Sequence, residues 1–318
     1  MMKIVCVEPI GISQAQSEEL KREYAAMGHE FVWYADRKED AATLTERMRD
    51  AEVVIISNIK LPREVLAACP QLKMLSVAFT GVDHIDIDYC REHGICVCNA
   101  SGYATVAVAE LAIGLMLDVY RRITMLDAAT RQGGTRNNFL GRELCGKTVG
   151  IVGTGAIGCK TALLLKALGC RVQAWSRSER AQMKENGIPY VDLDTLMRTS
   201  DIISLHVPLT PETHHLISAE KLALCKPTAV LINTARGNVV DMDALAKALN
   251  EGKLAGAGID VFEKEPPLAT SHPLLQAPNC VVVPHVGYAT REAFDIRIGI
   301  VNDNVKAWLA GKPVNVKI

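Results

Sequence analysis

The chain has 318 residues, of which 49% are hydrophobic and 22% charged, and its formal net charge is −1. That length exceeds what one hydrophobic core usually supports, so two compact units are predicted, and the composition excludes disordered and fibrous classes. No long basic or acidic block occurs, which leaves no basis for a nucleic-acid surface; small anionic substrates stay open, because one arginine in a pocket suffices for them.

From the start of the chain, short apolar runs at 4–7, 31–34, 53–56, 74–77 and 95–98 alternate with amphipathic stretches. This is the pattern of a parallel sheet wrapped by helices, over about the first hundred residues. A helix at 105–122, apolar on most faces, is expected to lead into a second unit. There strands are predicted at 148–152, 172–175, 202–205, 229–232, 257–261 and 281–283, making a second doubly wound sheet. A last helix at 290–309 is expected to pack back on the first unit, with hinges near 100 and 290 and a cleft between the units.

The N-terminal strand runs into Pro9 without a signal-peptide core, and Glu110 interrupts the most apolar stretch, so nothing is expected to span a membrane. The ten scattered cysteines read as buried free thiols, which fits a reducing cytoplasm. Cys96 and Cys98 share a strand face but lack zinc spacing. His214, His215 and His272 have no partner at ligand spacing and read as surface loop residues, so no metal is expected. Asp86, Asp88 and Glu92 read as favourable charge at the start of a helix.

The stretch from Lys147 to Gly158 joins a buried-strand pattern to a Gly-x-Gly-x-x-Gly turn. Gly153 allows a sharp break, Gly155 lets backbone approach a pyrophosphate, and Gly158 lets the helix beginning at Ala156 and Ile157 pack closely. The unpaired amides of that helix start would face the phosphates.

Further polar residues fall where the strands of the second sheet end: Ser176, His206, Asn233, Asp260 and His285. Reducing a 2-keto acid with a nicotinamide requires a cation to hold the carboxylate and polarise the ketone, and an acid to protonate the developing alkoxide. Arg236 supplies a planar fork of donors, and His285 can donate a proton in reduction and accept one in oxidation. Glu265 would orient the imidazole and favour its protonated form.

In these residues the chain resembles the D-isomer-specific 2-hydroxyacid dehydrogenase family over nearly its whole length. Carrying the resemblance are Gly81-Val82-Asp83, Gly94-Ile95, Val108-Ala109-Glu110, the glycine turn, and the segments His206 to Thr210 and Asn233 to Gly237. Asp260-Val261-Phe262, Glu265-Pro266 and Pro284-His285 complete the set. The resemblance implies two α/β domains with doubly wound parallel sheets, a Rossmann dinucleotide-binding domain at 102–289 inserted into a flavodoxin-like substrate domain at 1–101 and 290–318. It also implies Arg236, Glu265 and His285 as catalytic residues, the last two as an acid/base dyad, and the amides of Thr80 and Gly81 as holders of the substrate carboxylate. Asp260 would meet the nicotinamide amide. Thr105, His206, Val207, Pro208, Thr213, Thr234, Ala235 and Gly287 would join the glycine turn, Arg236 and His285 around the cofactor. Tyr103 stands where lactate-type members carry a tyrosine near the substrate, beside Arg236 and His285. A homodimer is expected.

At one position the chain departs from the family. Where many NAD-using members end the second strand of this domain with an aspartate, this chain has Ser176-Arg177-Ser178. An aspartate would repel a 2′-phosphate, whereas two hydroxyls and a guanidinium would bind one, so NADP(H) is expected in preference to NAD(H), with NAD(H) possible. The resulting expectation is a D-specific reductase of a small 2-keto acid such as glyoxylate or hydroxypyruvate. Two alternatives are an NAD-dependent glycerate or phosphoglycerate dehydrogenase, and a dinucleotide-sensing binding protein or corepressor.

Overall fold

A computed structural model describes residues 1–264 and 268–318. The chain divides into two compact units, one formed by Met1–Ala104 with Thr290–Ile318 and the other by Thr105–Ala289.

The first unit holds five strands: β1 (Lys3–Cys6), β2 (Glu30–Trp33), β3 (Val53–Ile56), β4 (Met74–Val77) and β5 (Cys96–Asn99). All pair in parallel in the order β2-β1-β3-β4-β5, which is the flavodoxin-like order. β3 and β4 are buried at every residue, as strands covered by helices on both faces must be. The helix Arg291–Leu309 packs on β4 and β5. Thr290 caps it, and the Ser76 hydroxyl donates to the Val301 carbonyl at 3.0 Å.

The second unit holds β6 (Thr148–Val152), β7 (Arg171–Trp175), β8 (Ile202–Leu205), β9 (Val230–Asn233), β10 (Gly256–Ile259) and β11 (Cys280–Val282). Again every pairing is parallel, in the order β11-β10-β9-β8-β6-β7. One isolated parallel bridge, Ala174 to Tyr190, adds a further neighbour outside β7 and extends the order to that of a dinucleotide-binding sheet. The chain reverses direction across the sheet between β6 and β8, and the crevice beyond the carboxyl ends of those strands is where such sheets bind ligands.

Several expectations needed correction. The helix predicted at 105–122 is Thr105–Arg121; Arg122 adopts a left-handed backbone (φ +50°) and a second helix, Ile123–Arg131, follows. Cys145 is exposed, so the thiols are not uniformly buried. His272 is no loose surface residue. Its ring packs edge-on against Phe262 at 5.4 Å, pairs with Glu263 at 3.2 Å, and accepts from the Leu274 amide to cap a short 3-10 turn. Asp86 and Asp88 do start the helix Ile87–Glu92, but Glu92 lies at its far end, paired with Arg63. Among the described residues no helix is long and apolar enough to cross a membrane.

Candidate active site

The glycine turn sits at the reversal point of the second sheet. Gly153 has φ +99°, and a β-carbon there would lie 2.7 Å from the His206 carbonyl oxygen, so only glycine lets β6 turn beneath the end of β8. A β-carbon on Gly158 would meet the Gly153 carbonyl oxygen at 2.0 Å; what it permits is closure of the helix onto the turn itself. Gly155 differs from both. A β-carbon there would meet nothing within 4 Å, and Gly155 caps the helix Ala156–Ala167 without a side-chain bond. The helix start therefore faces open space with its amides unclaimed by a capping side chain, which suits a phosphate group.

Beyond β7, Ser176 is half-buried while Arg177 and Ser178 are exposed. Ser178 accepts from the Thr154 hydroxyl through its carbonyl at 3.4 Å, which ties this segment to the glycine turn. Arg177 forms no ion pair among the described residues. Its charge helps hold the Glu212 carboxyl below its usual range, after the larger effects of the Thr210 hydroxyl and the local backbone.

His206 follows β8. Nε2 lies 2.9 Å from the Ser204 hydroxyl, and Nδ1 is closed off from solvent with no partner among the described residues. Burial lowers this imidazole to about 4, which keeps it neutral near pH 7. Val207 is buried and Pro208 exposed. The Thr213 hydroxyl donates to the Pro208 carbonyl at 2.6 Å and accepts from the Thr210 amide at 2.8 Å, so it braces the loop. Thr105 opens its helix, half-buried.

After β9, the buried Asn233 amide closes a tight turn. Its Nδ2 donates to the Arg236 carbonyl at 2.9 Å and its Oδ1 accepts from the Ala235 amide at 3.0 Å. The half-buried Arg236 donates from Nη1 to the Ala235 carbonyl at 2.8 Å, and the neighbouring Thr234 hydroxyl is buried without a partner among the described residues. Past β10, the Asp260 carboxylate is 1% exposed and accepts from the amides of Val286 (2.7 Å) and Gly287 (2.9 Å). Its own backbone amide donates to the Asn233 carbonyl, and its carbonyl accepts from the His285 amide. Asp260 thus fastens the loop after β11 to the end of β9.

His285 is left-handed (φ +53°), a conformation uncommon outside glycine, with its ring edge-on to Tyr288 at 5.6 Å. Strained backbone of this kind persists where the surroundings over-determine it, and it clusters at functional sites. Glu265 lies outside the described residues. Of the residues expected in the first unit, Thr80 is exposed, Gly81 half-buried, and Tyr103 only 3% exposed, its ring 6.5 Å from that of Phe79.

Two residues around the Ala78 to Gly81 turn escaped the sequence reading. Asn99 donates from Nδ2 to the Thr80 carbonyl at 2.5 Å, and Arg297 donates to the carbonyls of Ala78 and Ile10. A signal for Arg297 was present: with Ala293, Val301 and Val305 it repeats every four residues, which puts an arginine on the buried stripe of its helix.

Two doubly wound parallel sheets, one with an open glycine turn at its reversal point, define an α/β protein with a dinucleotide-binding unit. Residues 113–287 match the D-isomer specific 2-hydroxyacid dehydrogenase, NAD binding domain. The glyoxylate reductase of Thermococcus litoralis is 42% identical over 292 residues, covering 88% of this chain and 87% of that protein. The crystal structure of D-lactate dehydrogenase from Aquifex aeolicus, complexed with NAD and lactic acid, superposes with a TM-score of 0.84 at 32% identity, covering 98% and 96% of the two chains. An acyclic imino acid reductase (Bsp5) in complex with NADPH and D-Arg superposes with a TM-score of 0.90 at 30% identity over the full length of both chains. The chain belongs to the D-isomer specific 2-hydroxyacid dehydrogenase family, and is an oxidoreductase with that family's NAD-binding domain.

Proposed function

We propose that this enzyme is a D-specific reductase of small 2-keto acids, glyoxylate or hydroxypyruvate, with Arg236, Glu265 and His285 as its catalytic residues. The observation that carries the reading is the Asp260 carboxylate, which binds the His285 to Gly287 turn while its backbone amide holds the end of β9. One buried acid thereby joins the turn that bears His285 to the strand end from which the Arg236 loop leaves. Arg236 clamps the carboxylate and polarises the ketone, and the amides of Thr80 and Gly81 hold the same carboxylate. His285 protonates the ketone oxygen in reduction and accepts that proton in oxidation, with Glu265 steadying its ring.

The cofactor, when bound, supplies or accepts the hydride. For it the open helix start at Gly155 would take the pyrophosphate, and Ser176, Arg177 and Ser178 would take a 2′-phosphate. An exposed guanidinium in no ion pair among the described residues, where a carboxylate would exclude NADP(H), supports preference for NADP(H). A homodimer is supported by the exposed apolar side chains Leu117, Ile123, Met125 and Leu140, on and after the helices Thr105–Arg121 and Ile123–Arg131. The deciding experiment is His285→Ala in steady-state reduction of glyoxylate with NADPH. kcat is expected to fall by about 10²- to 10⁴-fold, the usual worth of a positioned acid, with NADPH binding kept. Wild-type turnover in that variant would remove His285 as the proton donor.

A further inference from the structure

The turn from Ala78 to Gly81 is held by its carbonyls, all of them from within the first unit. Arg297 Nη1 donates to Ala78 at 3.3 Å, where the Ser57 hydroxyl also approaches at 3.4 Å. The Ala100 amide donates to Phe79 at 3.1 Å, and Asn99 Nδ2 donates to Thr80 at 2.5 Å. In a trans peptide the carbonyl of one residue and the amide of the next point in opposite directions. Fixing the carbonyls of Phe79 and Thr80 against β5 therefore aims the amides of Thr80 and Gly81 the other way. Among the described residues those two amides donate to no protein acceptor. Adjacent amides left over in this manner form an anion-binding concavity.

Arg297 adds the charge. It is 3% exposed, makes no ion pair among the described residues, and its Nε has no partner. Nη2 donates to the Ile10 carbonyl at 2.5 Å, and the guanidinium carbon lies 4.1 Å from the Phe294 ring centroid and 5.6 Å from that of Tyr103. Ile10 is itself left-handed (φ +40°), and a β-carbon on the following Gly11 would press to 2.6 Å from Phe294 and 3.3 Å from Arg297. The arginine thus joins the loop after β1 to the loop after β4. Two carbonyls and two rings solvate the buried guanidinium; the buried Glu8 carboxylate feels its charge but is itself paired with Arg37, so the guanidinium is only partly compensated. Asn99, wholly buried, is braced in turn by Asn304, whose amide donates to the Asn99 carbonyl at 3.0 Å.

We infer that Asn99 and Arg297 are positioning residues for the substrate carboxylate: they hold the Ala78 to Gly81 turn by its carbonyls, and Arg297 supplies the positive charge that the bound carboxylate completes. This inference rests on the proposed reading that the Thr80 and Gly81 amides bind that carboxylate. Neither residue touches substrate in this scheme: Asn99 acts through the backbone, and Arg297 through the backbone and its charge.

The test uses the full-length protein with Arg297→Met, Arg297→Lys and Asn99→Ser. Steady-state kinetics with glyoxylate and NADPH are read beside equilibrium titration of oxamate, a non-reducible 2-keto acid analogue, into the enzyme with NADPH. For Arg297→Met and Asn99→Ser, glyoxylate KM and oxamate Kd should rise by about ten- to a hundredfold, the worth of misaligned hydrogen bonds to a charged group. kcat should stay within about threefold and KM for NADPH should not move, since only binding of the keto acid is lost. Arg297→Lys should recover part of the loss, and it carries the test together with Asn99→Ser should Arg297→Met fail to fold. Folded variants with unchanged KM and Kd, beside an active wild type, would overturn the positioning roles and leave the proposed function standing. A wild type that neither reduces glyoxylate nor binds oxamate would overturn both.

Discussion

A β-carbon on Gly237 would fall 2.0 Å from the carbonyl carbon of Phe262, so the loop that carries Arg236 and the loop leaving β10 touch backbone to backbone. This contact keeps the strand-end loops of the second sheet close together. Gly237→Ala should lower stability by about 1–3 kcal/mol, the usual cost of forcing atoms into a packed site. Keto-acid turnover should drop as well, because the added methyl pushes against the Arg236 turn. Thermal unfolding and kcat/KM measured together would check this, and an alanine variant with native melting and turnover would disprove the close approach.

His206 should make the protein acid-sensitive in a defined window. Its imidazole titrates at about 4 in the folded chain against an ordinary 6.5. As pH falls below the ordinary value the unfolded chain takes up the proton first, so stability declines between pH 6.5 and about 4 and this contribution ends there. The slope is at most about 1.4 kcal/mol per pH unit. Denaturant unfolding from pH 7.5 downward should show a flatter decline for His206→Asn than for the wild type; parallel curves would refute it.

Cofactor preference should turn on Ser176. Placing a carboxylate there in Ser176→Asp should raise KM for NADPH by about tenfold, equivalent to about 1.4 kcal/mol of repulsion from the 2′-phosphate. The KM for NADH should fall or hold. Paired kinetics with the two reduced cofactors give the answer, and a wild type that strongly prefers NADH would contradict the assignment from the outset.

Thiol labelling should single out Cys145. It is exposed, whereas burial pushes Cys69 and Cys90 up to about 11 and Cys225 and Cys280 up to about 12, out of the reactive range near neutrality. A native protein treated with a maleimide at pH 7.5 should show one fast-reacting cysteine, absent in Cys145→Ser. Fast labelling that survives this substitution would place the reactive thiol elsewhere.

Much of the architecture was legible in one dimension because its determinants are local. Runs such as Val53–Ile56 and Met74–Val77 are apolar at nearly every position because helices cover both faces, and the Gly-x-Gly-x-x-Gly spacing marks a place where a strand must break under its neighbour. The break at Arg122 was not legible, since no glycine or proline announces its left-handed backbone. His272 was misjudged because its partners, Glu263 and Phe262, are brought to it by the course of a loop that spacing does not encode.

The sequence by itself determined the alternation of strands and helices, the glycine turn, the missing aspartate at Ser176, and the identity of the residues that could do acid/base and carboxylate chemistry. These depend on side-chain type and short-range periodicity, which the order of residues records directly. Only the tertiary structure decided what holds those residues: Asp260 joining the turn after β11 to the end of β9, Asn99 and Arg297 gripping the carbonyls of the Ala78 to Gly81 turn, and His206 kept neutral by burial. Each of these is a contact between segments 19 to 219 positions apart in the chain or a property of the medium around a group. Burial and long-range hydrogen bonding exist only once the chain has closed on itself.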